Sequence, residues 1–165
     1  MPVYHFTIHA YRSWNANHKR GYTEKGRGYQ PPDPDKADEY NKRATQDPVT
    51  FDDQIQREIL VLTHEICDRE KWRLEAAGFD LTHTHVVLSW TDLNRWEEVD
   101  RRLKNLLVLK LNRRHNTPGK RWFVRRHSAP RRVKDAPHLK YLKETYLPDH
   151  KGLYWECGMP LPNID

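Results

Sequence analysis

Hydrophobic and polar positions alternate along this chain in blocks that predict strands and helices. Residues 3–11, VYHFTIHAY, alternate apolar and polar side chains as a half-buried strand does. Apolar residues then recur every three or four positions at Ile55, Ile59, Leu62 and Ile66, which predicts an amphipathic helix from a cap at Thr50 to about residue 71. Two strand patterns follow, beginning near residues 72 and 80, and the second contains the run that reads as buried.

The second half of the chain repeats the helix, strand and helix patterns. Asn94 and Glu97 are spaced as a capping box for a second amphipathic helix, which NTPGK at 116–120 ends. RWFVRRH at 121–127 predicts a short basic strand, and APHLKYLKETYL at 136–147 predicts a final helix that carries tyrosines. The order β-α-β-β-α-β-α predicts an α+β fold, a ferredoxin-like or RRM-like four-stranded antiparallel sheet with two packed helices and a C-terminal helix.

Length and composition indicate one intracellular domain. A chain of 165 residues fits a single core, so we expect one domain over residues 1–165. Residues 12–48 contain few aliphatic side chains, and we expect them to form a long arm or lid within that domain. No apolar run approaches the roughly 18 residues of a membrane helix, and Cys67 and Cys157 are too few for a disulfide framework. We therefore expect a soluble, cytoplasmic protein with no membrane partner.

The net charge of +6 comes from one segment of the chain. Residues 101–134 contain 13 Lys and Arg residues and no Asp or Glu. The rest of the chain has 16 basic residues against 23 acidic ones. A localised basic segment interleaved with aromatic side chains is typical of proteins that bind polyphosphates, although a solvated surface with salt links also produces such a run.

Two histidines lie one residue apart at the head of the buried strand, in DLTHTHVVLSW at 80–90. Successive side chains of a strand point to opposite faces, so His83 and His85 share one face while Thr84, Val86 and Leu88 share the other. Two imidazoles on one face can bind one metal ion, although such a pair by itself also occurs in packing roles. The pair becomes more informative beside a basic segment and a helix that carries tyrosines.

Together these parts suit the cutting of a DNA strand by tyrosine. A phenol has a pKa of roughly 10 and is a poor nucleophile unless its target is activated. A divalent cation can activate a phosphate as a Lewis acid, and imidazoles with an oxygen ligand leave positions open for that phosphate. We therefore expect Mg²⁺ or Mn²⁺ as cofactor. The product would be a phosphotyrosine ester, which keeps the bond energy for a later rejoining step.

The segment HTHVVLSW resembles the His-hydrophobe-His motif of HUH endonucleases. The wider order is similar to the REP-associated tyrosine transposases: a first strand, an arm with KRGYTEKGRG, the helix, WRLEAAGFDLTHTHVVLS, a helix with LKN, then W…RRHS and a helical tyrosine. The resemblance implies metal-dependent cleavage and rejoining of single-stranded DNA next to a hairpin, usually by a homodimer with shared active sites. Thr84 stands where a bulky apolar residue is usual.

The resemblance also implies a nucleophile and a metal site. His83 and His85 match the metal-binding pair, and Tyr141 matches the nucleophile. Thr145 stands four residues after Tyr141, where the family commonly has Gln or Asn as a third ligand. Because Thr is a poor ligand, the third position falls to Thr145 itself, to water, or to one of three other side chains: Glu144, His138 and His150.

Tyr146 is the competing nucleophile, because His150 follows it by four residues and could be a ligand. Pro148 lies between them and is expected to break the helical geometry that would bring them together. The sequence therefore predicts Tyr141 as the nucleophile, with Tyr146 as the alternative.

The DNA contacts are predicted from charge density. Trp122 and Phe123 could stack on bases, but one of two adjacent strand residues should face the core. The predicted contacts are Lys104, Arg113, Arg114, Lys120, Arg121, Arg125, Arg126, His127, Arg131 and Arg132.

Three other functions remain open at the level of the sequence. A domesticated relative, catalytically weak or inactive, would bind structured single-stranded DNA without cutting it, and the Thr145 departure favours this reading. An RNA-binding module could use the same sheet, but no RNP1-like sequence is present. A replication initiator or relaxase of the wider HUH group would need a longer chain with further domains.

Overall fold

A computed structural model of the chain describes residues 1–125 and 129–164. Its strands are β1 (Val3–His9), β2 (Tyr22–Glu24), β3 (Gly28–Gln30), β4 (Arg73–Phe79), β5 (His83–Ser89), β6 (Arg131–Arg132) and β7 (Tyr154–Glu156). Its helices are α1 (Pro34–Arg43), α2 (Asp53–Glu70), α3 (Trp96–His115) and α4 (Ala136–Tyr141), the last continued by a π-helical turn (Leu142–Tyr146). Among the described residues, no helix combines the length and the apolar content that crossing a bilayer requires.

The predicted α+β class is confirmed. Five strands form one antiparallel sheet in the order β6-β1-β5-β4-β7, and β2 and β3 form a separate hairpin. β1 pairs with β5 along its whole length, from Val3 opposite Ser89 to His9 opposite His83. The edge strand β7, which pairs with β4, was not predicted from the sequence.

The predicted strand at 121–127 is wrong over its described part. Residues 121–125 form only an isolated bridge, between Phe123 and Ala10. Both Trp122 and Phe123 are buried, which an alternating strand with one solvated face would not allow. The indole of Trp122 donates to Asn112 Oδ1 at 2.8 Å, and Phe123 packs edge-on against Phe51. The predicted contacts Arg126 and His127 lie outside the described residues.

The main core lies between one face of the sheet and helices α2 and α3. Phe6 and Ile8 of β1 and Val86 and Leu88 of β5 face this core, together with the apolar stripes of both helices. The caps differ from the predicted ones. Asp52, not Thr50, caps α2 by accepting from the Ile55 amide at 2.9 Å, and α3 begins after Arg95 with no side-chain cap.

The arm at residues 12–48 is folded against the rest of the chain. It contains the β2–β3 hairpin and α1, which Asp33 caps by accepting from the Lys36 amide at 2.9 Å. Arg12 donates to the Gln46 carbonyl at 2.9 Å, and Gln46 donates to the Arg121 carbonyl at 2.7 Å. The first bond joins the two ends of the arm, and the second ties them to the body of the protein. Its action as a lid stays a prediction.

The second face of the sheet is covered by residues 133–153, which we call the crossing segment. It leaves β6 beside β1 and enters β7 beside β4, so it passes from one edge of the sheet to the other. Its Leu142 and Leu147 are buried in a second small core with Ala76 and Val87. The segment sits so close to β4 that a Cβ on Gly78 would lie 2.9 Å from the Leu147 carbonyl oxygen.

Candidate metal centre

The face of the sheet under the crossing segment is rich in histidine. Strand alternation puts His83 and His85 of β5 on this face, as the sequence predicts. The antiparallel register then places Thr7 opposite His85 and His9 opposite His83. The ring centroids of His83 and His85 are 4.8 Å apart. The sheet therefore presents a cluster of imidazoles to the segment that crosses it.

The crossing segment adds a third histidine, His150. Its ring centroid lies 4.5 Å from that of His85 and 5.5 Å from that of His83. One nitrogen of each of the three rings lies within 4.8 Å of the others. His83, His85 and His150 could therefore hold a metal ion.

The helix ends at Tyr146, before Pro148, as expected, yet the Tyr146 and His150 rings still lie 5.1 Å apart. A π-type bond from the Leu147 amide to the Leu142 carbonyl (2.9 Å) widens the helix there, and turns continue to a His150 amide bond with the Leu147 carbonyl at 3.3 Å. Pro148 removes only the bond that its own nitrogen would donate. His150 Nδ1 then donates to the Tyr146 carbonyl at 2.9 Å. That bond puts the His150 proton on Nδ1 and leaves the Nε2 lone pair for a ligand.

His85 has the unsatisfied atom that a bound cation would complete. Its Nε2 is buried and has no hydrogen-bond partner among the described residues. Its Nδ1 lies 2.9 Å from His5 Nε2 and 3.1 Å from Thr7 Oγ1. Because an unpaired buried polar atom is costly, the orphaned nitrogen beside two other imidazoles fits a metal ligand.

Burial keeps the imidazoles of the sheet neutral. It lowers the pKa of His85 to about 2, with further lowering by His5 and His83, and together with Arg131 it lowers the pKa of His5 to about 4. Burial and His9 likewise lower the pKa of His83. Neutral imidazole is the form that binds metals. Three imidazoles are common ligands of Zn²⁺ and similar ions, whereas Mg²⁺ prefers oxygen, so the predicted Mg²⁺ or Mn²⁺ stays a prediction.

The two candidate tyrosines lie at different distances from the cluster. The Tyr146 ring is 5.3 Å from the His85 ring, 5.1 Å from the His150 ring and 5.5 Å from the His5 ring. Tyr141 is 52% exposed, and its closest aromatic contact within the described chain is with Tyr146 at 6.3 Å. The structure thus brings Tyr146, rather than Tyr141, against the histidines.

The remaining candidates for the third ligand lie elsewhere. Thr145 and Glu144 are exposed, and the Glu144 carboxylate lies 3.8 Å from the Lys140 ammonium. His138 uses its Nδ1 to accept from the Lys134 amide at 3.2 Å. Of the candidates described, His150 is therefore the one grouped with His83 and His85.

His5 and Thr7 are site residues that the sequence reasoning missed. The alternation of β1 places them on one face, but the register that brings His5 to His85 is not visible in the sequence. His5 and His9 lie four residues apart in β1, too far for their rings to converge within one strand. The contact forms instead between two strands, from His5 to His85.

The predicted DNA contacts divide into paired and exposed residues. Lys104 forms an ion pair with Asp100 at 2.8 Å, and Arg114 forms one with Glu58 at 3.1 Å. The Lys120 ammonium sits over the Trp122 ring, 4.0 Å from its centroid. Arg114 is exposed although it is paired, and the other exposed members are Arg113, Arg121, Arg125, Arg131 and Arg132.

A groove of about 730 Å³ runs between α3 and residues 119–125. Lys104, Lys120, Arg121 and Arg125 line it. One residue that lines the groove, Val124, donates its amide to the His9 carbonyl at 2.9 Å, next to the pair of His9 and His83. One lining residue of the groove is therefore bonded to the end of β1 that borders the histidine cluster. Because Trp122 and Phe123 are buried, neither is placed to stack on a base.

No protein-family model, curated protein or solved structure matches this chain. The site is therefore interpreted from its own geometry. It combines three imidazoles that could share a cation and a phenol against two of them, and a lining residue of the basic groove bonds to the strand beside it. Such a set can bind a phosphate ester and present a nucleophile to it.

Proposed function

We propose that this protein is a metal-dependent single-stranded DNA endonuclease and strand transferase, a transposase of the HUH type that works through a phosphotyrosine intermediate. The observation that carries the proposal is the position of Tyr146, one turn before His150 and against the ring of His85. A nucleophile and a third ligand on one turn, facing a histidine pair, is the arrangement that this chemistry needs. The proposed nucleophile is therefore Tyr146, with Tyr141 as the alternative.

The sheet supports the proposal. Its first four strands in chain order, apart from the hairpin in the arm, are β1, β4, β5 and β6, and they lie side by side as β6-β1-β5-β4. Helices α2 and α3 follow β1 and β5 and pack on one face. This strand order is the one expected of the split arrangement of a ferredoxin-like fold, which supports the proposed fold, and β7 would be an added edge strand. The histidine cluster lies on the opposite face of the sheet.

In the proposed reaction the Tyr146 hydroxyl oxygen attacks the phosphorus of a DNA phosphodiester. A tyrosine–phosphorus bond forms, the bond from phosphorus to one deoxyribose oxygen breaks, that oxygen takes up a proton, and the phenol proton leaves to solvent. A DNA hydroxyl later attacks the phosphotyrosine and reverses these changes, so rejoining needs no nucleotide cofactor. His83, His85 and His150 would hold a divalent cation, which supplies charge neutralisation at the non-bridging phosphate oxygens.

The groove supports DNA as the partner. Lys120, Arg121 and Arg125 are among the residues that line it. A basic groove can track the phosphates of a single strand without reading sequence. A strand in the groove would reach the end of β1 beside His83. A hairpin next to the cleaved strand and a homodimer are further parts of the proposal, taken from the family resemblance.

The test is a covalent-adduct assay on a denaturing gel. The protein is incubated with labelled single-stranded DNA from both strands flanking its gene, with Mn²⁺ or Mg²⁺. Tyr146→Phe and His85→Ala should abolish a metal-dependent adduct, and Tyr141→Phe, the matched change one and a half turns earlier, should retain it. An adduct lost only in Tyr141→Phe would move the nucleophile there. Tight DNA binding with no adduct under any condition would favour the non-cutting relative.

A further inference from the structure

Two side chains of β1 contact His85, whose Nε2 has no hydrogen-bond partner among the described residues. His5 Nε2 lies 2.9 Å from His85 Nδ1, and Thr7 Oγ1 lies 3.1 Å from the same atom. We propose that His5 is a positioning residue that holds His85 with its proton on Nδ1 and its Nε2 lone pair directed toward His83 and His150. Thr7 supports this role as a second acceptor. The inference rests on the metal site of the proposed function.

The hydrogen bond between the two imidazoles has two possible directions. If His85 Nδ1 accepted from His5, a neutral His85 would carry its proton on Nε2, where no partner lies among the described residues. A buried N–H without an acceptor is unfavourable, and such orphaned donors are rarer than orphaned acceptors. If His85 Nδ1 donates instead, its proton has His5 Nε2 and Thr7 Oγ1 as acceptors. The second direction satisfies the donor and leaves a lone pair on Nε2.

Burial makes this contact hard to replace with water. His5 is 7% exposed and His85 is 4% exposed. Thr7 is held directly opposite His85 by the β1–β5 register, and β1 lies inside the sheet between β6 and β5. The orientation of His85 is therefore set by a rigid neighbour rather than by solvent. In metal sites, such outer hydrogen bonds fix ligand orientation and commonly change affinity about 10- to 100-fold.

His5 also contacts the proposed nucleophile. The Tyr146 ring meets the His5 ring edge-on at 5.5 Å and the His85 ring at 5.3 Å. His5 thus contacts both His85, the proposed metal ligand, and Tyr146, the proposed nucleophile. Loss of the His5 ring would leave both of them without this support.

The test measures binding of Co²⁺ alone, by calorimetry and visible absorption, in wild type and three variants. His5→Phe keeps a ring but removes the acceptor, and should weaken binding about 10- to 100-fold. His5→Gln should recover most of that loss, because its side-chain oxygen lies about as far from Cα as His Nε2 and can accept the same proton. The matched control His64→Gln changes a histidine on α2 that pairs with Asp68, away from the site, and should bind as wild type does.

The outcomes separate this inference from the metal site itself. Wild-type affinity in His5→Phe, with weakened binding in His85→Ala, overturns the role of His5 and leaves the metal site standing. No Co²⁺ binding by the wild type, or normal binding in His85→Ala, overturns both. A second measurement needs no variant of His5. Nitrogen-15 NMR of the metal-free wild type, with His85 assigned by mutation, should show the His85 proton on Nδ1, and a proton on Nε2 would refute the proposal.

Discussion

Replacing Gly78 with alanine should weaken metal binding although Gly78 is not a ligand. The new Cβ would lie 2.9 Å from the Leu147 carbonyl oxygen and 3.1 Å from Leu147 Cβ. The closest atom belongs to the backbone and cannot rotate away, so relief requires the Leu147 turn to withdraw by about half an ångström to reach ordinary van der Waals distance. That turn carries Tyr146 on one side and His150 on the other. Metal–ligand distances tolerate only about 0.2 Å, so the third ligand would be displaced beyond its range.

The expected loss in Co²⁺ affinity is about tenfold or more, in the range of other changes that disturb ligand orientation. Overpacking should also lower the free energy of unfolding of the metal-free protein by about 1–3 kcal/mol, measured by urea denaturation. Gly26→Ala is the control for destabilisation alone, because a φ of +83° at Gly26 strains an alanine there, while its Cβ meets nothing within 4 Å and the residue lies in the arm, so stability should fall and Co²⁺ affinity should not. If folded Gly78→Ala binds Co²⁺ as tightly as the wild type, the packing of the Leu147 turn against β4 does not determine the position of His150. That result would refute the prediction.

Three further predictions concern other parts of the chain. Burial raises the pKa of the Cys67 thiol to about 12, whereas Cys157 is exposed, so a thiol reagent at pH 8 should modify one cysteine in the native protein and both after denaturation; rapid modification of both in the native state would contradict this. Burial raises the pKa of Glu58, but hydrogen bonds from His115 and from other side chains outweigh it and leave the pKa lowered. Its ionised form should therefore stabilise the fold above about pH 4.5 and lose that effect as the pH falls, since a lowered carboxyl pKa means that the unfolded state binds the proton more tightly. Glu58→Gln should cost about 2 kcal/mol in urea unfolding at pH 7 and less at pH 3.5, and an equal cost at both values would refute the ionic role. Changing Arg121 and Arg125 to Ala should each reduce the slope of log affinity for single-stranded DNA against log salt by about 0.7, and an unchanged slope would remove the groove from the binding surface.

Elements set by local patterns could be predicted from the sequence. The 3–4 spacing of apolar residues gave α2 and α3, and alternation gave β1, β4 and β5. The convergence of His83 and His85 also follows from alternation alone. The pairing of β1 with β5 depends on contacts between distant residues, so the approach of His5 to His85 could not be predicted.

The contact between Tyr146 and His150 could not be predicted, because tertiary packing overrides the local effect of Pro148. Proline disfavours helix continuation, so the pattern argued against Tyr146 and His150 acting together. In the structure, Leu142 and Leu147 anchor the chain on the sheet and the intervening turn is π-helical, which keeps the two residues adjacent. No sequence signal specifies that wider turn.

The basic segment was overcounted for a related reason. Charge density along the chain ignores partners that lie outside the counted window. Asp100, one residue before the basic run, pairs with Lys104, and Glu58 on α2 pairs with Arg114. At the exposed positions that remain, such as Arg121 and Arg125, contact with DNA stays a prediction.

The crossing segment is tied to the sheet at both of its ends, through β6 at one edge and β7 at the other. His83, His85, His150 and Tyr146 are all brought together by this one polypeptide. The site therefore forms within one chain. Diluting the protein does not change the local concentration of His150 around His83 and His85. Metal affinity measured at nanomolar protein should equal that measured at micromolar protein, whatever assembly the protein forms on DNA.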